Sequence, residues 1–200
     1  MVLPELGSEE QRILGVLLEK QVTVPASYPM SLSAVRTGCN QSSSRDPIVD
    51  YDEAIVETTL RGLKDRQLVR IVWADKGRRT LKYHQLLSEV LELNDAEKAL
   101  VTVLLLRGAQ APGELRTRTD RLHGFADREA VEVVLADLAA RPEPLVRELP
   151  RQRGQHDSRW VHLLGDVPVA DAAVQELTPA VDREAVLAHG AEARDLRVRS

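Results

Sequence analysis

The chain has 200 residues, 43% hydrophobic and 29% charged, which is the composition of an ordinary globular protein. Only 3% are aromatic and one residue is a cysteine, so the core must be aliphatic and no intramolecular disulfide can form. A formal net charge of −4 excludes a protein that grips nucleic acid by bulk charge, and no run approaches the roughly 18 apolar residues of a membrane helix. The first ten residues lack both the basic start and the apolar run of a signal peptide, so a cytoplasmic protein without membrane association is expected. Charge is uneven along the chain: net +1 over residues 1–88, −2 over 89–164 and −3 over 165–200. Any cationic surface must therefore be local.

An amphipathic helix is predicted over Ser8–Lys20. Ser8-Glu9-Glu10-Gln11 has the form of a capping box, and Ile13, Leu14, Leu17 and Leu18 recur at helical spacing. Helices near Ser31–Cys39 and Asp52–Arg66 follow, then strands near Leu68–Trp73 and Thr80–Leu86 around the turn Asp75-Lys76-Gly77-Arg78-Arg79. The same order then returns, with helices near Asp95–Arg107, Pro112–Thr119 and Asp127–Ala140 and strands near Leu145–Leu149 and Arg159–Leu164. From Gly165 the chain alternates Ala and Val with acids; a loosely attached tail, 165–200, is expected to be partly helical (Asp182–Leu196) or disordered.

The recurrence is a duplication. A shift of 87 pairs Ile13, Leu14, Leu17, Leu18 and Pro25 with Leu100, Val101, Leu104, Leu105 and Pro112. A shift of 75 pairs Val56, Leu60 and Leu63 with Val131, Leu135 and Leu138. Leu68-Val69-Arg70 … Tyr83-His84 likewise echoes in Leu145-Val146-Arg147 … Val161-His162. Three short helices and a hairpin make the winged form of the helix-turn-helix. The predicted fold is therefore mainly α (α+β): two tandem winged helix-turn-helix domains, each three helices plus a β-hairpin wing. They occupy residues 1–90 and 91–164, as separate units parting near residues 88–93. The drop in shift assigns 12 extra residues to the first copy, and the polar, turn-rich stretch of about 39–50 is the expected inserted loop.

Several strings carry a resemblance. Leu17-Leu18-Glu19-Lys20-Gln21, Tyr28-Pro29, Cys39-Asn40-Gln41 and Ser44-Arg45-Asp46-Pro47 resemble the YceH-like family of uncharacterised bacterial proteins. Leu105-Leu106-Arg107-Gly108 and Gly113-Glu114-Leu115-Arg116 do so as well. The resemblance covers about residues 6–164 and implies a tandem winged-helix fold; it carries no activity.

A winged helix usually lays its third helix in the major groove and its wing on the backbone. The candidate nucleic-acid contacts are Arg61 and Lys64 on the third helix, with Lys76, Arg78, Arg79 and Lys82 in the wing. Double-stranded DNA is the partner this implies, against the reading that these charges only solvate a hairpin tip. The second wing carries Arg151, Arg153 and Arg159, but its third helix differs. With Val131, Val134, Leu135 and Leu138 inward, it exposes Glu129, Glu132, Val133, Ala136 and Asp137, a face hostile to phosphate. Glu132, Val133 and Ala136 are therefore protein-interface candidates, for a homodimer or another protein. In the inserted loop, Asn40, Gln41, Arg45 and Asp46 either grip a phosphate or a partner's backbone, or satisfy the loop internally.

Enzyme chemistry is not expected. The five histidines are scattered, a lone cysteine cannot make a zinc site of usual spacing, and no Gly-rich phosphate loop occurs. His84 and His162, read as equivalent strand positions, are expected to pack, and no cofactor or metal is implied. The reading is a non-enzymatic binding protein, DNA-binding or transcription-associated through its first domain. The alternative is a protein–protein interaction scaffold without DNA contact.

Overall fold

The structure, a computed structural model, describes residues 3–73, 80–151 and 153–166. The expected tail helix and the wing residues Lys76, Arg78 and Arg79 lie outside these described residues.

The first half opens with α1 (Ser8–Thr23), a 3₁₀ turn (Pro25–Ser27), β1 (Met30–Ser31), α2 (Leu32–Cys39) and α3 (Glu53–Asp65). It closes with β2 (Val69–Trp73) and β3 (Leu81–Gln85), and the short α4 (Leu87–Val90) leads on. The second half is α5 (Asp95–Arg107), α6 (Pro112–Thr119), α7 (Arg128–Ala139), β4 (Val146–Glu148) and β5 (Trp160–His162). The described residues thus make a mixed, mainly helical α+β fold with small antiparallel sheets.

Local chemistry sets the helix starts. The Asp52 and Asp127 carboxylates each accept from the backbone N–H three residues on, at 2.8 Å, so α3 and α7 begin with the same cap. Asn94 and Glu97 exchange side-chain-to-backbone bonds of 3.0 and 2.9 Å at the head of α5, a complete capping box. The box expected at Ser8 and Gln11 sits one residue earlier: Gly7 is the cap, and its N–H donates to Glu10 at 3.0 Å. Gln11 is released for another task, because its buried amide donates to the Leu6 and Asp166 carbonyls at 2.9 and 2.7 Å.

In the first sheet β3 is central, with order β1-β3-β2 and register Met30↔Tyr83 on one side and Ile71↔Tyr83 on the other. The second sheet has only β4 and β5, but one isolated bridge, Gln110↔Trp160, stands where β1 stands in the first half. Neither β1 nor the 3₁₀ turn was expected, since two or three residues carry no readable period.

Twelve extra residues do separate the halves, but not as one insert. α1 has 16 residues against 13 in α5. The α1–α2 connection has eight residues against four, and the α2–α3 connection thirteen against eight. Only five of the twelve therefore fall in the loop expected to hold them all. Pro25 and Pro112, matched by the shift of 87, are not equivalent: one begins the 3₁₀ turn and the other begins α6.

The largest departure concerns the core. Each half keeps its element order, but neither keeps a core to itself. Ile13, Leu14, Leu17 and Leu18 of α1 and Leu100, Val101, Leu104 and Leu105 of α5 are all buried in one hydrophobic cluster that runs through both halves. All described residues fall in one compact unit rather than two parting near residues 88–93. The physical reason is that both helices are apolar around most of their circumference, so each must be covered on a second side. At Gly15 an added Cβ would lie 2.8 Å from the Leu106 side chain, so the two helices approach closely there. The ends of the unit also join, through Leu6 N–H to the Leu164 carbonyl at 2.7 Å.

Candidate functional site

On α3, Val56, Leu60 and Leu63 are fully buried, which turns Glu57, Thr58, Arg61, Lys64 and Asp65 to solvent. Ile55, expected inside, is 41% exposed. Arg61 pairs with Glu57 at 3.2 Å and Lys64 with Asp65 at 3.6 Å, all four side chains more than half exposed. Exposed pairs of this kind contribute little and exchange partners readily. Lys82 lies on β3 between Val72 and Ser31, half-buried. Of the candidate cationic set, the described members Arg61, Lys64 and Lys82 thus lie on α3 and β3.

The α2–α3 loop is a closed internal network. Arg45 is buried, and all five of its N–H donors are used. Its Nε donates to the Gly38 carbonyl at 2.9 Å. One terminal nitrogen reaches Glu19 at 3.1 Å and the Ser44 carbonyl at 2.8 Å; the other reaches Glu19 at 2.6 Å and Gln41 at 2.7 Å. Glu19, not the adjacent Asp46, is the counterion. Burial would raise its carboxyl, but Arg45, helped by Lys20, outweighs that and holds it below the ordinary range. Asn40 clamps the far end of the loop, accepting from Tyr51 N–H at 2.9 Å and donating to the Tyr51 carbonyl at 2.9 Å and to Asp50 at 3.3 Å. A second buried guanidinium, Arg12, donates to the Cys39 and Pro47 carbonyls at 3.1 and 2.6 Å. Asp46 is exposed, and its N–H donates to the Leu106 carbonyl at 2.9 Å, fastening the loop to α5. Every polar side chain singled out in this loop except Asp46 is therefore engaged within the protein.

On α7, Val131, Leu135 and Leu138 are buried and Val134 partly so, leaving Glu129, Val133, Ala136 and Asp137 exposed. Val133 is 60% exposed, one of the few large apolar side chains so placed. Glu132 is paired with Arg128 at 2.7 Å, and Arg128 also binds Asp157 at 2.8 Å. In the second wing, Arg151 and Arg153 are exposed, but Arg159 is occupied by Glu114 at 2.8 Å and the Ala109 carbonyl at 3.0 Å.

His84 and His162 are not equivalent. Val69 faces Gln85 while Val146 faces His162, so His162 is the counterpart of Gln85 and lies on the opposite face from His84. His162 is buried, and desolvation pushes its pKa down to about 4. Burial pushes the Cys39 thiol up to about 12, which removes it as a thiolate nucleophile near neutral pH. Among the described residues, no group of three or more His, Cys, Asp or Glu side chains is placed to hold a metal ion.

The structure also gathers a cluster that no single stretch of sequence shows. Lys20 at the end of α1, Arg107 at the end of α5, and Arg118 and Arg121 on and just after α6 border one groove. These residues come from three elements up to about 100 positions apart, so only the α1–α5 packing could reveal them.

Residues 6–155 match the family described as "Protein of unknown function, DUF480". The chain is 49% identical over 183 residues to the UPF0502 protein of Opitutus terrae, covering 90% of this chain and 79% of that protein. It is 46% identical over 183 residues to the UPF0502 protein of Geobacter sulfurreducens, covering 92% and 83%. With the UPF0502 protein of Cronobacter sakazakii it shares 45% identity over 200 residues, covering 97% and 91%. No helix of the described residues is long and apolar enough to cross a membrane. The chain belongs to the DUF480 (UPF0502) family, the YceH-like family that its Cys39-Asn40-Gln41 and Arg45-Asp46-Pro47 strings resemble.

Proposed function

We propose that the protein is a non-enzymatic, cytosolic DNA-binding protein built from two winged-helix units fused through one core, and that its first half makes the contact. The observation that carries this is the outward face of α3, where Thr58, Arg61 and Lys64 lie on the third helix of a three-helix unit closed by a β1-β3-β2 sheet. In winged helices that position is the one presented to the major groove. The pairs of Arg61 with Glu57 and Lys64 with Asp65 do not oppose this reading, because exposed ion pairs yield easily to phosphate. In sequence, Lys76, Arg78 and Arg79 would add backbone contacts from the wing. The buried Cys39 thiol supports a binding role over nucleophilic catalysis.

The test is fluorescence anisotropy with random-sequence duplex DNA across a salt series. Binding should weaken steeply with salt, and Arg78→Ala with Arg79→Ala should flatten the log–log slope by up to about two units. No binding at low salt removes the reading.

The exposed Val133 beside Ala136 favours a second reading, a protein contact through α7 such as a homodimer. Sedimentation of Glu132→Lys and Val133→Asp variants would then show lost self-association.

A further inference from the structure

The groove bordered by α1, α5 and α6 combines positive charge that is only partly cancelled with apolar side chains from α5. It is small, about 80 Å³, which suits a compact anion rather than a drug-sized ligand. Val103 and Leu106 of α5 line the floor, and Lys20, Arg107, Arg118 and Arg121 stand around it. The one carboxylate among its lining residues is Glu19, which is gripped from both oxygens by the buried Arg45 and also pairs with Lys20 at 3.3 Å, so a single carboxylate is shared between two cations. Glu114, outside the groove, is shared by two cations, Arg118 at 3.4 Å and Arg159 at 2.8 Å. Arg107 and Arg121 form no ion pair among the described residues, with Asp46 the other acid near Arg107. Burial, then repulsion from Arg118 and Arg45, pushes the Arg107 guanidinium below its ordinary pKa, as expected where positive charge is left unbalanced. Since the whole chain is acidic, at −4, this concentration of cations is a local feature.

We propose that this groove is a binding site for a pyrophosphate group, free or carried by a nucleotide, held by Lys20, Arg107, Arg118 and Arg121. Guanidinium forks match the tetrahedral faces of phosphate through paired charge-assisted hydrogen bonds, which a single lysine cannot supply. Three arginines and a lysine converging from three helices suit a ligand with several negative charges better than a lone carboxylate. The cations would take the phosphates, and the rest of a nucleotide would extend out of the groove's mouth. This site is separate from α3 and the wing, and it does not depend on the nucleic-acid reading.

Isothermal titration of the full chain with inorganic pyrophosphate and, separately, with ADP tests the site and distinguishes its sources. Saturable binding of either supports the proposal; tighter binding of ADP identifies a nucleotide ligand, and equal binding identifies the free anion. Arg107→Gln with Arg121→Gln should weaken that binding by about tenfold or more, as expected for losing charge-assisted hydrogen bonds. Arg121→Gln alone changes only an exposed side chain, so a smaller loss in that variant with an unshifted thermal midpoint rules out misfolding as the cause. The proposal is overturned if neither ligand binds at millimolar concentration, or if the double variant, still folded, binds as the parent does.

Discussion

The two interhelical loops that precede the third helices show how differently two halves with the same element order can hold the same corner. Between α2 and α3, thirteen residues are secured by buried guanidiniums, with Arg45 and Arg12 donating to carbonyls at 38, 39, 44 and 47. Between α6 and α7, eight residues are secured by backbone bonds to the Thr119 carbonyl, an edge-on His123–Phe125 contact and one exposed bond from Arg116 to the Ala126 carbonyl. A longer loop has more backbone polar groups to satisfy, and where it crosses buried surface water cannot serve them. The first half meets that need with internal charge; the shorter loop has little need to meet.

That contrast predicts unequal sensitivity. Arg45→Ala leaves the Gly38 carbonyl without its partner and the Glu19 carboxylate with only Lys20, in a largely buried place, and should cost about 3–5 kcal/mol in urea denaturation. Arg116→Ala, in the exposed counterpart, should stay within about 0.5 kcal/mol. Equal losses in the two variants would mean that the charged network adds nothing a turn does not.

The hairpins sharpen the comparison through pH. Gln85 is buried with its amide fully engaged by Gln21 and Ser88, and has no charge to lose. His162 stands in the equivalent place with its Nδ1 accepting from Leu164 N–H at 3.3 Å, a bond available only to the neutral ring. Its folded pKa of about 4 is below the ordinary 6.5, so the unfolded chain binds the proton first. Stability should therefore be complete above about pH 6.5 and decline towards pH 4, by about 3 kcal/mol from this group. His162→Gln should remove most of that slope. The half-buried His84, also lowered by burial, leaves a remnant of the same sign, whereas Glu19 acts only below its ordinary 4.5. An unchanged slope in the variant would place the acid sensitivity elsewhere.

The smallest effect tests whether the halves share a core. Gly15→Ala pushes a methyl group into Leu106 across the α1–α5 seam and should cost about 1–3 kcal/mol. Gly62→Ala, within α3 and facing open space, should instead stabilise by up to about 1 kcal/mol through helix propensity. Thermal unfolding of both variants reads the sign directly. A neutral Gly15→Ala would argue that the halves can draw apart.

Much of this was legible in the residues. Asp95–Arg107 and Pro112–Thr119 are helices over the expected spans, and the other long helices differ from expectation by at most three residues at either end. The twelve-residue difference was correct in total but wrong in place, because a single shift cannot tell one insertion from three. The loop residues Asn40, Gln41 and Arg45 were recognisable as a polar cluster. Whether they faced a ligand or each other depended on Glu19, which lies 26 positions from Arg45.

Local patterning by itself determined the helices, the paired strands and the recurrence of their order in the second half, since periodicity, caps and turns act within a few residues. It also indicated the faces of α3 and α7, apart from Ile55. Tertiary structure alone decided that α1 and α5 share one core, that His162 replaces Gln85 rather than His84, and that four cations surround one groove. Each of those depends on which surfaces meet across long stretches of chain. Apolar burial is non-directional, so an apolar helix declares that it must be covered but not by what.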